Sequence, residues 1–555
     1  MSNHTLTPWQ RLIGLLQLEK RAVLQVFYYA IFSGFLSLSL PLGIQAIINL
    51  IQGAQITTSW VLLVVLVTLG VVFVGILQLM QMRIIETIQQ RIFTRASFEF
   101  TFRFPKIKME ELRKYYPPEL ANRFFDTLTV QKGLAKILVD VPTALLQILF
   151  ALILLAFYHP FFIVFGVLLL ILIYIVFKFT AKKGMETSLE ESKNKYKVAH
   201  WIQEVARAVI SFKLSGKTNL ALDKNDILVT KYLEARESHF RVLAIQFIQM
   251  VGFKVIVTAG LLIIGGALVL NQEMNIGQFV AAEIIILLVI NSVEKLITGL
   301  DSLYDVLTSL EKIGQVVDKE LEEQTGEQPS FDNDFNIELE NVTYSVSNKD
   351  KPILKDINLT IEAKKRVLIQ GESGSGKSTL LRVLAGIIMP TTGKVFVNNS
   401  SLSTIHLNYY RANVGLSLSE ETPFEGTLRD NITFSDSSIS DEDVFNAVEK
   451  VGLINYVKQQ PKGLQTMIYP EGKRMSYTVA KKIILARAIV KKPKLLILED
   501  PLDQFEEQEA LQIMNFLVKP EHPWTLIVVS SHKRWEKTCQ EFIQLKQGTM
   551  SIISN

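Results

Sequence analysis

The sequence predicts a multi-domain membrane protein, with a six-helix, all-α transmembrane domain followed by an α/β domain organised around a glycine-rich loop. Three observations predict it. Apolar blocks without ionisable residues fill the first half of the chain, and basic residues crowd its long connections while sparing its short turns. In the second half, Gly371-Glu372-Ser373-Gly374-Ser375-Gly376-Lys377-Ser378-Thr379 separates an apolar strand from a helix. At 555 residues the chain is too long for one domain.

From Ala22 to Met82 there is no Asp, Glu, Lys, Arg or His, and from Val141 to Phe177 the only exception is His159. A helix needs about 20 apolar residues to cross ~30 Å of hydrocarbon, so each block holds two spans. Gly53-Ala54-Gln55-Ile56-Thr57-Thr58 divides the first into spans near 23–51 and 58–82. Tyr158-His159-Pro160 divides the second into 138–158 and 161–179, and Asn271-Gln272-Glu273-Met274-Asn275 separates 244–270 from 277–297.

Arg83, Arg91, Arg95, Arg103, Lys106, Lys108, Arg113 and Lys114 lie between spans two and three, and Lys178, Lys182, Lys183, Lys193 and Lys195 between spans four and five. The three short turns carry no Lys or Arg, so the positive-inside rule places both long connections, both termini and the second domain in the cytoplasm. Both connections read as helical extensions below the bilayer. Pro117-Pro118-Glu119-Leu120 and Ser215-Gly216 interrupt them, which predicts short transverse helices near Pro117–Asn122 and Ala208–Gly216 that touch the soluble domain.

An ionisable residue within a span is a functional-site hypothesis by default. Lys254 lies where its long stem can reach the cytoplasmic interface, whereas Glu283 lies in the outer half of its span. Their depths predict that they do not pair, and Glu283 is carried as a substrate-path candidate. The boundaries expected are a cytoplasmic segment 1–21, a transmembrane domain 22–317, an acidic linker 318–334 with Gly326 and Pro329, and a nucleotide-binding domain 335–555. Met1 to Glu19 is polar and mixed, without the apolar core of a signal peptide. A net charge of +4 is close to balanced and does not argue for nucleic acid. The lone Cys539 excludes an intrachain disulfide, which fits a reducing compartment.

Arg366-Val367-Leu368-Ile369-Gln370 reads as a buried strand and Leu380-Leu381-Arg382-Val383-Leu384-Ala385 as a helix, so the loop between them is a P-loop in context. Its glycines let several N–H groups point at one anion, and the helix N-terminus adds its positive dipole end. Lys377 would reach the β and γ phosphates of ATP, and the Ser378 hydroxyl would ligate Mg²⁺.

Six spans followed by a P-loop domain of this size resemble a half-transporter of the ATP-binding cassette (ABC) exporter family, and the resemblance covers nearly the whole chain. It implies a dimeric transporter whose cytoplasmic α/β P-loop NTPase domain binds Mg-ATP. Leu495-Leu496-Ile497-Leu498 followed by Glu499-Asp500-Pro501 resembles Walker B. This implies Glu499 on the metal and Asp500 as the base beside the attacking water. Thr525 to His532 resembles the strand that ends in the switch histidine, which implies that His532 contacts the γ-phosphate. Leu485-Ala486-Arg487-Ala488 resembles the helix after the signature motif, and Asp430-Asn431-Ile432 follows Gly426-Thr427 as in family members.

The departures from the family are specific. Asp500 stands where the family has Glu, one methylene longer. Met475-Ser476-Tyr477-Thr478-Val479 replaces Leu-Ser-Gly-Gly-Gln, leaving Ser476 as the surviving signature residue and Tyr477 as bulk in place of glycine. The Q-loop glutamine aligns with Ser419, next to Glu420, and the adenine-stacking aromatic aligns with Val346, with Tyr344 as its substitute. Two readings follow: slow hydrolysis, or a non-catalytic ATP-binding subunit that scaffolds or gates a secretion complex. A homodimer is the simpler assembly, a heterodimer the alternative.

Gly277 to Glu283 and Asn291 to Lys295 resemble bacterial type I secretion and bacteriocin-type exporters. That implies the bacterial inner membrane, a protein or peptide cargo and a periplasmic adaptor, with lipids or small amphiphiles as alternative cargo. No peptidase domain is expected before span one, since Met1 to Lys20 is too short to fold alone.

Overall fold

The computed structural model describes residues 6–52, 58–331, 335–346 and 351–553. Residues 53–57 of the turn expected at Gly53 to Thr58, and residues 332–334 of the expected linker, lie outside them. The chain forms two compact units, one of Met1–Ile107 with Glu111–Glu320, the other of Lys108–Glu110 with Leu321–Asn555.

The first unit is helical. Helix α1 (Pro8–Leu18) opens on a capping box in which Thr7 Oγ1 accepts from the Gln10 N–H and Gln10 Oε1 from the Thr7 N–H. The first span expected is one membrane-length helical run, Lys20–Gln52, interrupted at Leu38 into α2 (Lys20–Ser37) and α3 (Ser39–Gln52). The physical reason is Pro41, which has no N–H and whose ring crowds the carbonyl four residues earlier, at Ser37. Then come α4 (Thr58–Arg103), α5 (Met109–Leu112), α6 (Pro117–Ala121), α7 (Asp126–Tyr158), α8 (Phe161–Arg207), α9 (Val209–Leu214), α10 (Leu220–Leu270) and α11 (Ile276–Val317). Among the described residues, five helical runs are long and apolar enough to cross a membrane, and α8 opens with the apolar Phe161–Ile171.

How much of each helix is buried follows its pattern. The most apolar stretch of α4 is apolar all round and only 6% buried, as a helix facing lipid would be, against 50% for α11. Along α7, Ala144, Ile148, Ala151 and Leu155 recur every three or four residues and share one buried cluster with Met250, Phe253, Val257 and Leu261 of α10 and Ile285, Ile286, Val289 and Val293 of α11. Glu19 is 5% exposed and accepts from Arg91 at 3.1 Å and Arg95 at 2.9 Å, one turn apart on α4. Lys254 Nζ lies 2.6 Å from Glu294 of α11, a partner that comparing depths with Glu283 alone overlooked, while Glu283 is half-buried.

The second unit is α/β. Strands β1 (Ile337–Tyr344), β2 (Leu354–Ile361), β4 (Thr392–Val397) and β5 (Ser400–Ser401) form an antiparallel sheet in the order β2-β1-β4-β5. Strands β3 (Arg366–Gly371), β6 (Val414–Ser417), β9 (Leu495–Glu499), β10 (Thr525–Val529), β11 (Glu541–Lys546) and β12 (Thr549–Ile553) form the main sheet in the order β12-β11-β3-β10-β9-β6. It is parallel except for β12 at its edge. Leu495–Leu498 and Thr525–Val529 are buried throughout, as strands covered on both faces must be. A two-residue ladder joins β7 (Gly426–Thr427) to β8 (Met467–Ile468), and α12 (Lys377–Leu384) follows β3.

Residues 321–331, read as linker, lie against this unit as a strap. Glu322 makes a two-pronged ion pair with Arg411 at 2.6 and 2.9 Å, Tyr409 donates to the Pro329 carbonyl at 2.8 Å, and Phe331 stacks on Tyr409. The two motif fragments at Asn431 and Arg487 hold one another. Asn431, fully buried, accepts from the Phe424 N–H at 2.9 Å and donates to the carbonyls of Phe424 and Thr427, while Arg487 Nε donates to the Asn431 carbonyl at 2.6 Å. Asn431→Ala should therefore cost about 3 kcal/mol, because it leaves several buried partners unsatisfied at once. A thermal melt of the purified protein should show the loss, and an unchanged midpoint would refute the clamp.

Candidate functional site

The site is assembled by strand register. Val529 of β10 pairs with Ile369 of β3 on one side and Glu499 of β9 on the other. The residues that follow these strands, the P-loop, Ser530 and Asp500, therefore leave the sheet side by side at its C-terminal edge, where α/β sheets bind ligands. There they line a cavity of about 650 Å³, the size of a small-molecule site.

Gly371, Ser373, Gly374, Gly376, Lys377, Ser378 and Thr379 line this cavity with Glu499 and Asp500. Gly374 has φ +81° and Gly376 φ +105°, and a Cβ on Gly376 would meet the Ile353 carbonyl at 2.9 Å. Lys377 folds onto its own loop, donating to the carbonyls of Gly371 at 2.7 Å and Glu372 at 2.8 Å; the Glu372 side chain is exposed. Ser375 is buried, and its hydroxyl finds no hydrogen-bond partner among the described residues.

Glu499 is 7% exposed and accepts from the Ser378 hydroxyl, from the Ser419 N–H at 3.2 Å and from the Ser419 hydroxyl at 3.1 Å. Ser419, expected only as the residue in the glutamine's place, thus bonds the carboxylate expected to face the metal. Glu420 turns away to Arg382. Lys481, 5% exposed, fastens the same segment by donating to the carbonyls of Leu418 at 3.0 Å and Ser419 at 2.5 Å. The donor set, one hydroxyl and one carboxylate beside an open cavity, fits Mg²⁺, which takes few protein ligands and keeps phosphates and waters.

Asp500 has φ +41°, and its N–H bonds the Val529 carbonyl at 2.8 Å. Burial, then the nearby Asp503 and Glu499, push its carboxyl above the usual range, opposed by a hydrogen bond from Ser530. His532 does not line the cavity, and its Nε2 lies 2.7 Å from Asp503. Ser476 caps the Tyr477–Ile489 helix by accepting from the Val479 N–H, and it too is absent from the cavity. Tyr344 is 2% exposed within the core, and Ile353 stands on the cavity wall instead.

Ile353, Gln370, Gln544, Ser530 and Ser531 line the site without having been singled out from the sequence. The two serines carried a signal, since they end the strand that leads to His532, whereas Gln544 enters only because β11 pairs with β3.

A P-loop beside a Walker-type carboxylate, in a chain with several membrane-length apolar helices, defines a multi-pass membrane protein with an ATP-binding cassette. The ABC transporter family matches residues 354–503, and the ABC transporter transmembrane region matches residues 23–293. The chain belongs to the ABC transporter family, with the fold of its exporters.

Among its relatives, the alpha-hemolysin translocation ATP-binding protein HlyB of Escherichia coli O157:H7 is 28% identical over 55% of this chain and 43% of its own length. The exotoxin translocation ATP-binding protein PaxB of Pasteurella aerogenes is 25% identical over 63% of this chain and 49% of its own. The match therefore spans less than half the length of each. A solved bacterial Atm1-family ABC exporter with ATP bound superposes with a TM-score of 0.84 over 96% of this chain and 94% of that one, at 15% identity.

Two outcomes follow from the geometry. Gly376→Ala should weaken binding of a fluorescent ATP analogue roughly tenfold or more, since the left-handed backbone and the Ile353 carbonyl both oppose a Cβ; an unchanged Kd would refute this. Because the Asp500 pKa is raised in the folded state, the stability it contributes is present at low pH and lost as pH rises through that pKa. Asp500→Asn should therefore raise the melting midpoint near neutral pH, with the difference shrinking on acidification.

Proposed function

We propose that this chain is one half of a dimeric exporter of the bacterial inner membrane, in which ATP turnover in the second unit drives a protein or peptide through the first, together with a periplasmic adaptor. The observation that carries the reading is the convergence of Lys377, Ser378, Glu499 and Asp500 on one cavity. The relatives' names, each a translocation ATP-binding protein for a toxin, support a protein cargo. Two copies are supported by the position of Ser476 away from the cavity around Lys377, so that a second copy supplies the facing signature segment. The homodimer is the simpler form.

On binding ATP, Lys377 exchanges the carbonyls of Gly371 and Glu372 for phosphate oxygens, while the loop N–H groups hold the same oxygens. Ser378 and Glu499 would hold Mg²⁺, which would neutralise phosphate charge. Asp500 orients the attacking water and accepts its proton, a task that its raised proton affinity suits. Its side chain is one methylene shorter than glutamate, so it stands about 1 Å further from the water and turnover is slow. His532 leaves Asp503 for the γ-phosphate. The segments near Pro117–Asn122 and Ala208–Gly216 carry the resulting motion to the spans.

ATPase activity of the chain in lipid tests this beside three variants. Lys377→Ala should lose both nucleotide binding and activity. Asp500→Asn and His532→Ala should keep binding and lose roughly a hundredfold or more in turnover. Wild-type activity no greater than that of Lys377→Ala, with nucleotide still bound, would favour the ATP-gated, non-catalytic subunit. Such a subunit is the reading that Tyr477 in the signature segment supports.

A further inference from the structure

Away from the P-loop, the first unit contains an open cleft of about 700 Å³ between α8, α10, α11 and the segment around α6. Five cationic side chains line it, Arg123, Lys193, Lys197, Lys224 and Lys312, against two carboxylates, Glu119 and Glu204. Both carboxylates are engaged already, Glu119 with Arg123 at 3.4 Å and His200 at 3.1 Å, and Glu204 with Arg207 at 2.6 Å. Lys193 also meets Glu190 at 3.4 Å, so the cleft's surplus of positive charge rests on Lys197, Lys224 and Lys312, which make no ion pair among the described residues.

Arg123 is 7% exposed, and its Nε and Nη1 are buried with no hydrogen-bond partner among the described residues. Its guanidinium carbon lies over the Tyr196 ring, 3.5 Å from the centroid, a cation–π contact that holds the group in place. Tyr196 is held in turn by its hydroxyl, which donates to Asp126. Lys312 is 7% exposed and makes no ion pair among the described residues. Buried donors left unmatched, as on Arg123, are destabilising unless something accepts from them.

Depth decides where the acceptor comes from. Lys193 lies 14 residues beyond the expected cytoplasmic end of its span at residue 179, about 21 Å along a helix at ~1.5 Å per residue. Leu228 on α10 lies 16 residues before the next span begins at 244, about 24 Å. Lipid headgroups do not reach that far, so the ligand is water-soluble.

We propose that this cleft binds a small, multiply charged phosphate-bearing anion from the cytoplasm, with Arg123 and Lys312 as its buried anchors and Lys193, Lys197 and Lys224 at its rim. An arginine held by an aromatic ring, with two donors unmatched, presents its planar fork to phosphate oxygens, and the flanking lysines add point charges. The site is separate from the P-loop and stands whether or not the chain hydrolyses ATP.

Inorganic tripolyphosphate is the probe, titrated calorimetrically into the full chain carrying Lys377→Ala, which weakens the P-loop, in nanodiscs of zwitterionic lipid. Saturable binding that falls roughly tenfold or more in Lys312→Met supports the site. The exposed pair Lys193→Gln with Lys197→Gln should weaken it too, and decides the matter if Lys312→Met does not fold. No saturable binding, or affinity unchanged in these variants, overturns the proposal. Competition when anionic lipid replaces zwitterionic lipid would overturn the aqueous source, and binding of deca-glutamate but not tripolyphosphate would overturn the phosphate class.

Discussion

The parallel register that lays Ile369, Val529 and Glu499 abreast is the constraint on which the nucleotide site depends. Three strands far apart in sequence end at one level, so the P-loop, Ser530 and Asp500 share a cavity without any one of them reaching far. A slip of one residue in any pairing would turn its side chains to the opposite face. The continuous aliphatic runs of β9 and β10 resist such a slip because both faces are buried. Glu499 then ties three pieces together, since its carboxylate accepts from Ser378 after β3 and from Ser419 after β6.

The departures from the family pattern are absorbed locally. Ser419 is too short to act as a glutamine would, yet it bonds Glu499 through both its backbone and its hydroxyl. Lys481, five residues after Ser476, holds the carbonyls of Leu418 and Ser419, so the helix bearing the altered signature is fastened to the segment beside Glu499. Burial lowers the Lys481 pKa, and Glu421 and Glu499 oppose that shift. Three converging carbonyls compensate a buried ammonium in the same way.

The first unit follows a different logic. In a bilayer the backbone must satisfy itself, which leaves helices as the only open-ended solution. Side-chain pattern then decides which helix is central and which faces lipid, and α11 and α4 are the two extremes. Charge enters this unit in pairs, Glu19 with Arg91 and Arg95, and Lys254 with Glu294. Arg123 and Lys312 stand apart: Arg123 meets Glu119 through one nitrogen only and keeps two buried donors unmatched, and Lys312 makes no ion pair among the described residues.

Composition and local pattern sufficed for the helical membrane unit, its charge asymmetry, the P-loop and the carboxylates after β9, because each is written in contiguous residues: an uncharged run, a cluster of arginines, or glycines at fixed spacing before Lys377. The break between α2 and α3 was also present in Pro41, but a single proline in an apolar run does not say whether a span bends or ends. Partnership between distant residues was not legible. Lys254 met Glu294 rather than standing alone, and Asp503 held His532. Residues 321–331 packed through Glu322 and Phe331 although their composition reads as linker. Tyr344, whose alternation on β1 allowed either face, turned into the core. These depend on which strand or helix lies alongside, and that is set by packing of the whole unit, which a local window does not contain.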